Sequence, residues 1–549
     1  MRKVALLTLA LLLSGCAALP TTVSVSQGPE LALPQSQEFA YYSPPGPSVD
    51  ASPAEIVSGF LNAGSAPQQN YSIAREYLSD QFAQNWQPNA GVLVRSGIPA
   101  ISVNQQSLVT VAVPVGARVN DLGIYTTTTD ELSSLRFQLV QEDGQWRISR
   151  APNLTVVTAP VFNVVFKGYP VYFLDATRQA LVPDLRWFPS RVSTGTSLVN
   201  ALLEGPADWL APAVTTAIPE GTKLTVDAVR VVDGIALVDF DANALNANST
   251  DRSLLMAQLE ATLLQLGGVQ RVDVSINGNQ QDLIASTLEQ IPVSSPTALA
   301  DKGIFPLITG ATEALAGTAK IAANLDVLDY DLSSDGASIA ILTPSGITQF
   351  RLGSLSSEEQ FSDSRLGLLA PQFDKHGYSW LVPSSTQDSV KVARSDGQLF
   401  DLEWNSLGVR IAFAVSPEGA RVAELISLGD SVRLQIRPVV RDLEGLAKSV
   451  GDAEIIAELS SAKSSLAWDN LNALLVIDSS ASSTTTIFSY PVLGPRTSLP
   501  TTAIVAKKVI SGFANASRYM LSENNEVWAL NGRNWRKVSE NATAIAMQD

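Results

Sequence analysis

The positions of hydrophobic and polar residues divide this 549-residue chain into segments with different periodicities. The first is a largely apolar run at residues 4–13, which follows the basic pair Arg2 and Lys3. With a rise of about 1.5 Å per residue, a helix of this length is too short to cross a hydrocarbon core of about 30 Å. The pattern instead predicts the hydrophobic region of an export signal, with the rest of the chain exported.

The next segment, up to about residue 50, has weak periodicity and is rich in threonine, serine, glutamine and proline. Proline restricts the backbone of the residue before it, so the run at residues 41–47 is expected to be stiff and extended. A segment of this composition buries too little apolar surface to fold alone. We therefore predict a flexible tether at residues 16–50, ahead of the folded part of the chain.

Helical periodicity appears first in the unit predicted at residues 51–158. Ser52 and Glu55 have the spacing of a capping box, and Pro53 occupies the first helical position. Apolar residues at helical spacing follow this signal. A second run of the same kind predicts another helix at about residues 72–82.

Strand patterns complete this unit. Two of the strands flank Asp143-Gly144, a two-residue hairpin signal that places Leu139 opposite Ile148. Helices followed by a curved antiparallel sheet resemble the NTF2-like and cystatin-like folds. That resemblance implies an α+β unit, and its interior would be either a packed core or a ligand pocket.

A second α+β unit is predicted at residues 159–292. A strand at residues 224–232 turns at Asp233-Gly234 into the next strand, and a long helix with leucines at helical spacing follows. The order of elements and the sequences at 203–206 and 217–222 resemble the GerMN domain, a small module of exported bacterial proteins. GerMN domains have no established catalytic machinery, so the resemblance implies no catalytic residue.

Short strand patterns fill residues 293–549. A similar turn sequence recurs around Gly336, Gly377 and Gly419, which are 41 and 42 residues apart, and a weaker echo occurs at residues 518–521. A period near 40–50 residues with several short strands per repeat is typical of propeller blades. We predict an all-β propeller of about five to seven blades, with a sandwich of two sheets as the alternative.

The charge balance restricts the classes of partner. The chain has 37 lysines and arginines against 53 aspartates and glutamates, a net charge of −16. Phosphate binding needs clustered cations, so nucleic acid is not expected as a partner. Electrostatic adhesion to an anionic bilayer is equally unfavourable, so any membrane attachment would need apolar insertion or a covalent lipid.

The counts of two residue types exclude several catalytic classes. The chain has one cysteine, Cys16, and one histidine, His376, so it can form neither an internal disulfide nor a zinc site of cysteines and histidines. A serine–histidine–aspartate triad would need His376. That histidine occupies the same place in the repeated turn as Asp335 and Glu418, so we expect an exposed turn residue rather than a catalytic base.

The lone cysteine closes the predicted signal segment, residues 1–15. Leu13, Ser14, Gly15 and Cys16 resemble the bacterial lipobox, in which cleavage leaves the cysteine as the new N-terminus. The resemblance implies a diacylglyceryl group on the sulfur of Cys16 and fatty acyl chains such as palmitate. Two or more acyl chains at one residue anchor a protein stably, whereas one does so only marginally. The alternative is a plain secretory signal with a chance cysteine.

Acidic clusters are the remaining candidates for catalysis. Asp239 and Asp241 share a face at the end of a strand, and Glu358, Glu359 and Asp363 form a second cluster. Glycosidase chemistry needs two carboxyls at a set spacing across a cleft, which neighbours in sequence do not supply. The sequence has no phosphate-binding loop and no calcium-binding ladder. We therefore expect no catalytic residue, no metal site, no cofactor and no enzymatic activity.

Tryptophans are the candidates for ligand binding in the C-terminal region. Most of them are expected to pack between blades, although exposed aromatic residues in propellers can bind glycans. The one most worth checking for exposure is Trp535, between Asn534 and Arg536. The five tryptophans of this region are Trp380, Trp404, Trp468, Trp528 and Trp535.

The order of segments is lipobox, tether, helix-led α+β unit, GerMN domain and propeller. This order, with Pro53, Ile56 and Phe60 opening the first helix and residues 144–148 closing that unit, resembles the LpqB family of actinobacterial lipoproteins. The resemblance implies a lipid-anchored protein on the outer face of the cytoplasmic membrane. It also implies a partner, the extracytoplasmic sensor of an MtrB-like histidine kinase. That kinase belongs to a two-component system that affects cell-wall homeostasis and division.

Two other functions remain open at this point. A cell-wall glycan or peptidoglycan binding protein would carry aromatic residues along a groove. A propeller enzyme would carry convergent carboxylates in its central channel. A large exposed apolar patch on one face would instead favour a protein partner.

Overall fold

The computed structural model describes residues 44–105, 107–191, 193–291, 293–307, 313–354, 356–478, 484–512 and 517–548. Cys16 and the other lipobox residues, Leu13, Ser14 and Gly15, lie outside the described residues, so the lipid anchor stays a prediction. From Pro44 onward the chain forms one compact unit. No helix within the described residues has the length and hydrophobicity needed to span a bilayer.

The N-terminal part combines helices with a six-stranded sheet, in the strand order β5-β4-β3-β1-β6 with β2 paired to β3. Its helices are α1 (Pro53–Ala63), α2 (Ser72–Arg75) and α3 (Asp80–Asn85). Its strands are β1 (Gly91–Arg95), β2 (Ala100–Gln105), β3 (Leu108–Asn120), β4 (Tyr125–Glu142), β5 (Gln145–Arg150) and β6 (Thr155–Thr158).

Two predicted signals in this part are confirmed. Ser52 Oγ accepts a hydrogen bond from the Glu55 amide, and Glu55 Oε2 accepts one from the Ser52 amide at 2.8 Å, which completes the capping box of α1. Asp143-Gly144 forms the β4–β5 turn with positive φ angles, and Leu139 lies opposite Ile148. Apolar side chains from α1 and from β3, β4 and β5 fill the interior as a packed core.

The prediction of one helix at residues 72–82 is wrong. The chain forms α2 and α3 instead, because the backbone between them pairs with β5: the Ile148 amide donates to Tyr77 O and the Ser79 amide donates to Ile148 O, both at 2.9 Å. Ser79 then caps α3 by accepting from the Phe82 amide. In a single helix these backbone groups would have formed hydrogen bonds within the helix instead.

The second part carries two sheets and two long helices. Its helices are α4 (Ala159–Val165), α5 (Thr194–Glu204) and α6 (Ser249–Leu263). The three-stranded sheet contains β7 (Phe166–Asp175), β8 (Leu181–Pro189) and β9 (Val214–Thr215). The four-stranded sheet contains β10 (Arg230–Val232), β11 (Ile235–Phe240), β12 (Arg271–Ile276) and β13 (Asn279–Gln281).

Polar residues of α6 join this helix to the edge of β7. Gln258 and Thr262 are fully buried, yet Gln258 Nε2 donates to Tyr172 O at 2.9 Å and the Tyr172 amide donates to Thr262 Oγ1 at 3.2 Å. The predicted hairpin at Asp233-Gly234 is confirmed by the pairing of β10 with β11. The predicted strand 224–232 is shorter, because only β10 continues the ladder and Leu224 forms an isolated bridge.

The C-terminal part is a ring of six small sheets, or blades, and some neighbouring blades are hydrogen-bonded into larger sheets. Five of them have four strands each, apart from one additional strand, β27 (Ala447–Val450), that joins neighbouring sheets. They are β16 (Asp329–Leu332), β17 (Ser338–Thr343), β18 (Gly346–Leu352) and β19 (Ser357–Asp363); β20 (Gln372–Phe373), β21 (Ser379–Leu381), β22 (Val390–Ala393) and β23 (Leu399–Trp404); β24 (Val409–Val415), β25 (Arg421–Ser427), β26 (Val432–Arg441) and β28 (Glu454–Leu459); β29 (Leu466–Asn470), β30 (Ala473–Asp478), β31 (Thr486–Pro491) and β32 (Thr497–Ser498); and β33 (Ala506–Ser511), β34 (Arg518–Ser522), β35 (Val527–Asn531) and β36 (Asn534–Ser539).

The sixth sheet closes the ring with strands from both ends of the region. It contains β37 (Ala544–Gln548), β14 (Ser295–Ala300) and β15 (Gly303–Pro306), and helix α7 (Thr318–Asn324) packs beside β15. We number the blades 1 to 6, from the sheet that begins with β16 to this closing sheet. The predicted propeller therefore has six blades.

Hydrogen bonds between innermost strands fasten neighbouring blades. Asp331 of blade 1 accepts from the Phe373 amide of blade 2 at 2.7 Å, and Gln372 of blade 2 bonds the backbone of blade 3. Ser465, which precedes blade 4, accepts from the Val509 amide of blade 5 at 3.0 Å. Polar side chains thus satisfy part of the inner strand edges, which would otherwise remain unpaired.

The repeated turn lies between the first and second strands of a blade. Gly336, Gly377 and Gly419 have φ angles of +66°, +79° and +77°, a conformation that glycine adopts without a Cβ clash. The weaker echo at residues 518–521 lies within β34, the second strand of its sheet, as the same part of the repeat does in β25. The period of the first three blades is therefore confirmed.

Candidate functional site

The innermost strands of all six blades surround a central channel. Its cavity has a volume of about 430 Å³ and is lined by residues of β16, β20, β24, β29, β33 and β37. We call the end of the channel where these strands stop, at turns 333–337, 374–378 and 416–420, the closed face. We call the other end, with the loops that precede these strands, the open face.

The GerMN part is joined to the closed face by charged and polar contacts. Lys375, in a blade 2 turn, forms ion pairs with Asp175 at 3.2 Å and with Glu289 at 3.1 Å. Arg421 of blade 3 donates to Pro183 O at 3.3 Å. Ala180 and residues 289–291 also line the channel, so this end is covered by the GerMN part and by the segment that links it to the propeller.

Asp374 organises the turn that contains the lone histidine. Its carboxylate accepts hydrogen bonds from the His376 and Tyr378 amides at 3.0 Å and from Trp380 Nε1 at 3.1 Å. It also forms an ion pair with Arg441 at 2.8 Å. These contacts engage both oxygens of the Asp374 carboxylate.

His376 is half-buried, so the prediction of an exposed turn residue is wrong. Its imidazole packs against the backbone of Gly445 in the neighbouring blade, where a Cβ would lie 2.5 Å from Nδ1. Burial, together with the positive charge of Arg441, lowers the pKa of His376 to about 4. Nε2 has no hydrogen-bond partner among the described residues.

Glu418 and Arg421 form a buried ion pair beside the channel. Glu418 Oε1 and Arg421 Nε are 2.6 Å apart, and both side chains are almost fully buried. The guanidinium lies 4.8 Å from the centre of the Trp468 ring and donates to Leu471 O at 2.7 Å. One arginine thus contacts two blades and, through Pro183, the GerMN part.

The carboxylates that line the channel all take part in contacts. Asp329 pairs with Lys508 at 2.7 Å, Glu289 pairs with Lys375, and Asp331, Asp374 and Glu418 have the partners described above. No group of three or more potential metal ligands occurs among the described residues. The channel acids therefore serve to join blades and domains.

The acids singled out in the sequence are also used structurally. Asp239 accepts from the Gly278 amide at 2.9 Å, and Asp241 caps a short 3-10 helix by accepting from the Asn243 amide at 3.2 Å. Asp363 pairs with Arg365 at 2.6 Å, whereas Glu358 and Glu359 are exposed on β19. The structure therefore does not bring these acids to one cleft.

The tryptophans of the propeller mostly pack in its core, as predicted. Trp380, Trp404 and Trp468 are buried, with Trp404 and Trp380 ring centres 6.0 Å apart. Trp528 and Trp535 are half-buried, and Trp535 Nε1 donates to Pro500 O at 3.1 Å. None of the five forms an exposed aromatic groove.

The open face differs from the closed face in its contacts. Its loops are 325–328, 364–371, 405–408, 460–465, 499–505 and 540–543. No hydrogen bond or ion pair between described residues joins these loops to residues 44–291. Leu328, Leu366 and Leu407 are exposed there.

Sequence reasoning missed the residues that join the domains. Trp187 donates through Nε1 to Leu493 O of the propeller at 2.8 Å, and its amide donates to Gly123 O of the N-terminal part at 2.7 Å. Lys375 and Asp175 are 200 positions apart in the chain. Single residues in loops carry no periodic signal for such contacts.

Three family models match the chain in succession. Residues 46–163 match the N-terminal domain of Lipoprotein LpqB, residues 170–282 match the Germane domain of sporulation and spore germination, and residues 303–545 match the β-propeller domain of Lipoprotein LpqB. Together they account for most of the described residues, in the order that the sequence predicted.

Curated relatives from actinobacteria agree with these matches. The Lipoprotein LpqB of Cutibacterium acnes is 26% identical over 79% of this chain and 78% of the relative. The one from Bifidobacterium longum is 27% identical over 78% and 77%. The one from Corynebacterium diphtheriae is 27% identical over 85% of each chain.

Likeness to solved structures is more distant. A chain of a nidogen/laminin complex shares 13% identity with a TM-score of 0.35, over 46% of this chain and 98% of that one. The tandem GerMN domains of the sporulation protein GerM from Bacillus subtilis share 17% identity with a TM-score of 0.20, over 26% of this chain and 58% of that one.

Proposed function

The chain belongs to the LpqB family of lipoproteins, and on that premise we propose that it is a non-enzymatic binding protein anchored by a lipid outside the cytoplasm. The signal segment at residues 1–15 would be removed, and Cys16 would carry a diacylglyceryl group and further acyl chains. The anchor would hold the folded domains at the outer face of the cytoplasmic membrane.

The anchor has a direct test. Cys16→Ala should abolish labelling with a palmitate analogue and leave the chain as an uncleaved precursor or release it from the membrane fraction. Ser14→Ala keeps the cysteine and serves as the control. Acyl labelling that persists in Cys16→Ala would contradict the proposal, because the chain has no other cysteine.

The proposed partner is the extracytoplasmic sensor domain of an MtrB-like histidine kinase. The observation that carries a binding role is the difference between the two propeller faces: one is covered by the GerMN part, and the other presents exposed leucines. Contacts such as Trp187 with Leu493 and Gly123 join the three domains and support a rigid platform.

Differential binding would supply the regulatory effect. A platform that contacts one signalling state of the sensor more tightly than the other shifts the kinase toward that state, by at most the ratio of the two affinities. Through the kinase, the protein would influence cell-wall homeostasis and division. No catalytic step is needed for this mechanism, which agrees with channel acids that all take part in structural contacts.

Calorimetry with purified domains tests the proposed partner. Residues 17–549 and the kinase sensor domain, both shown to be folded by circular dichroism, should bind with a measurable heat. Absence of binding at high micromolar concentration would contradict direct contact. Purified cell wall in a parallel pulldown addresses the glycan alternative, which no exposed aromatic groove supports among the described residues.

The N-terminal part is proposed to be a member of the cone-shaped NTF2-like or cystatin-like class. Its support is the order of α1 before a strongly extended sheet, with β3 and β4 spanning 13 and 18 residues. In this part the interior is filled by side chains, so its proposed role is to present a surface rather than to bind a small ligand.

A further inference from the structure

We propose that the open end of blade 2 is the docking surface for the partner, and that it receives a basic segment with apolar side chains. We call this surface the blade 2 rim and define it by Leu366, Asp388, Leu407 and Val409. The apolar side chains and the charge of this surface carry the proposal, and only the name of the partner rests on the proposed function.

Three exposed apolar side chains lie on the rim. Leu366 and Leu407, in the two loops that flank blade 2, are 76% and 82% exposed, and Val409, the first residue of β24, is 52% exposed. Single exposed apolar residues are ordinary on protein surfaces, but a cluster on one face marks an interaction site. Removing such leucines from water on binding is favourable, so two of them can anchor a partner.

The rim is held rigidly by backbone hydrogen bonds. The Ser384 amide donates to Gly367 O, and the Arg410 amide donates to Ser384 O, both at 2.8 Å. Thr386 Oγ1 donates to Gly408 O at 2.8 Å. The loop 384–389 thus ties the loop of Leu366 to the loop of Leu407, so the three segments form one continuous surface.

A buried arginine supports the rim from below. Arg410 is fully buried, lies 4.8 Å from the centre of the Trp404 ring and pairs with Glu424 at 3.3 Å. Its guanidinium donates to Trp404 O at 3.0 Å, directly before the Leu407 loop. A surface fixed in advance loses little conformational entropy on binding, which favours affinity.

The charge of the rim selects a basic partner. Asp388 is exposed and has no hydrogen bond or ion pair among the described residues. The nearby Arg365 is neutralised by Asp363 at 2.6 Å, so the uncompensated charge on the rim is negative. With a net charge of −16 for the whole chain, an anionic lipid surface would be repelled and a lysine- or arginine-containing segment attracted.

In-cell photo-crosslinking tests the docking surface. A photoreactive amino acid replaces Leu366 or Leu407 in the full-length chain, and the matched controls carry it at Leu443 or Ile98, which are 80% and 87% exposed elsewhere on the molecule. The expected result is a crosslinked protein at the rim positions alone. Mass spectrometry should place the crosslink in a segment that contains lysine or arginine beside apolar residues.

Each other outcome has a definite meaning. Rim crosslinks to lipid or to a second copy of this chain, equal crosslinking at the controls, or no crosslinks at all would overturn the proposed surface. Rim crosslinks to a protein other than the histidine kinase would support the surface and overturn the proposed partner. Crosslinks to the kinase found only at Leu443 or Ile98 would support the proposed partner and overturn the proposed surface.

A binding measurement keeps the proposal testable without the photoreactive group. The double variant Leu366→Arg and Leu407→Arg removes the apolar contact and repels a basic segment, so affinity for the crosslinked partner should fall at least tenfold. Leu443→Arg with Ile98→Arg adds the same two charges elsewhere and should leave affinity unchanged. Equal affinities for the double variant and the wild type, with both folded, would overturn the proposal.

Discussion

The two faces of the propeller differ in their contacts with the rest of the chain. On the closed face, Asp374, Glu418 and Arg421 are buried and paired, and Lys375 joins the propeller to the GerMN part. On the open face, Leu366 and Leu407 are exposed. The charged pairs of the closed face thus fix contacts within the chain, whereas the leucines of the blade 2 rim remain available to another molecule.

The difference follows from the energetics of burial. A buried ion pair gains little net stability over an apolar contact, but a misplaced partner leaves an uncompensated charge, so such pairs penalise incorrect domain arrangements. An exposed leucine has no such penalty and gains its free energy only when something covers it. A buried ion pair therefore suits a permanent contact within the chain, and an exposed leucine suits a reversible contact with a partner.

The largest expected effect is loss of stability when a closed-face pair is broken. Glu418→Ala leaves the buried Arg421 guanidinium without its carboxylate, which should lower the free energy of unfolding by about 3–5 kcal/mol. Urea unfolding followed by tryptophan fluorescence measures this change. Glu458→Ala, in the partly exposed pair with Arg433, is the control and should cost less than about 1 kcal/mol. Equal losses of unfolding free energy for the two variants would refute the distinction between the buried pair and the partly exposed pair.

The second effect concerns binding through the open face. Leu366→Arg with Leu407→Arg should leave the unfolding free energy within about 1 kcal/mol of the wild type, since both residues are exposed. The same variant should bind its partner at least tenfold more weakly. Thermal unfolding and calorimetry on one preparation give both quantities. A large loss of stability with unchanged binding would reverse the roles that we assign to the two faces.

The third effect is a pH dependence at the closed face. Because the pKa of His376 is about 4 in the folded chain against an ordinary 6.5, the unfolded chain takes up the proton first as pH falls. The unfolding free energy should therefore decrease as pH falls from about 6.5 to about 4. His376→Asn should show a shallower decrease over that window, measured by urea unfolding at several pH values. Identical slopes would contradict the burial of this imidazole.

The smallest effect is electrostatic and belongs to the open face. Asp388→Asn should weaken binding of a basic partner a few-fold, mainly through a slower association rate, and the difference should shrink at high salt. Asp121→Asn, in the turn between β3 and β4 of the N-terminal part, changes the same charge on an exposed residue away from the rim and serves as the control. Surface plasmon resonance at two ionic strengths measures both variants, and a salt-independent effect would point to lost structure instead.

Local signals predicted much of the fold. The capping box of α1, the turn at Asp143-Gly144 and the turn glycines of blades 1 to 3 depend on residues close together in sequence. Closure of the ring does not depend on residues close together in sequence, because β37 pairs with β14, which lies at the other end of the propeller sequence. The helix predicted at residues 72–82 failed for the same reason, since a distant strand, β5, competes for its backbone groups.

The candidate site was less predictable than the fold. Leu366, Leu368 and Leu369 stand together in the sequence, yet Leu366 is exposed, Leu368 is buried and Leu369 is half-buried. Their spacing does not distinguish them, because a loop has no fixed periodicity. His376 was correctly placed in a turn, but its burial depends on Gly445 of the next blade, a contact that the sequence does not reveal.

Hydrogen–deuterium exchange of the chain with and without the kinase sensor domain tests docking at the blade 2 rim. We expect slower amide exchange at residues 364–368, 384–389 and 405–409 on binding. We expect no change at the closed-face turns 374–378 and 416–420. Slower exchange confined to those turns or to the GerMN part, or no change anywhere at saturating sensor domain, would contradict docking at this rim.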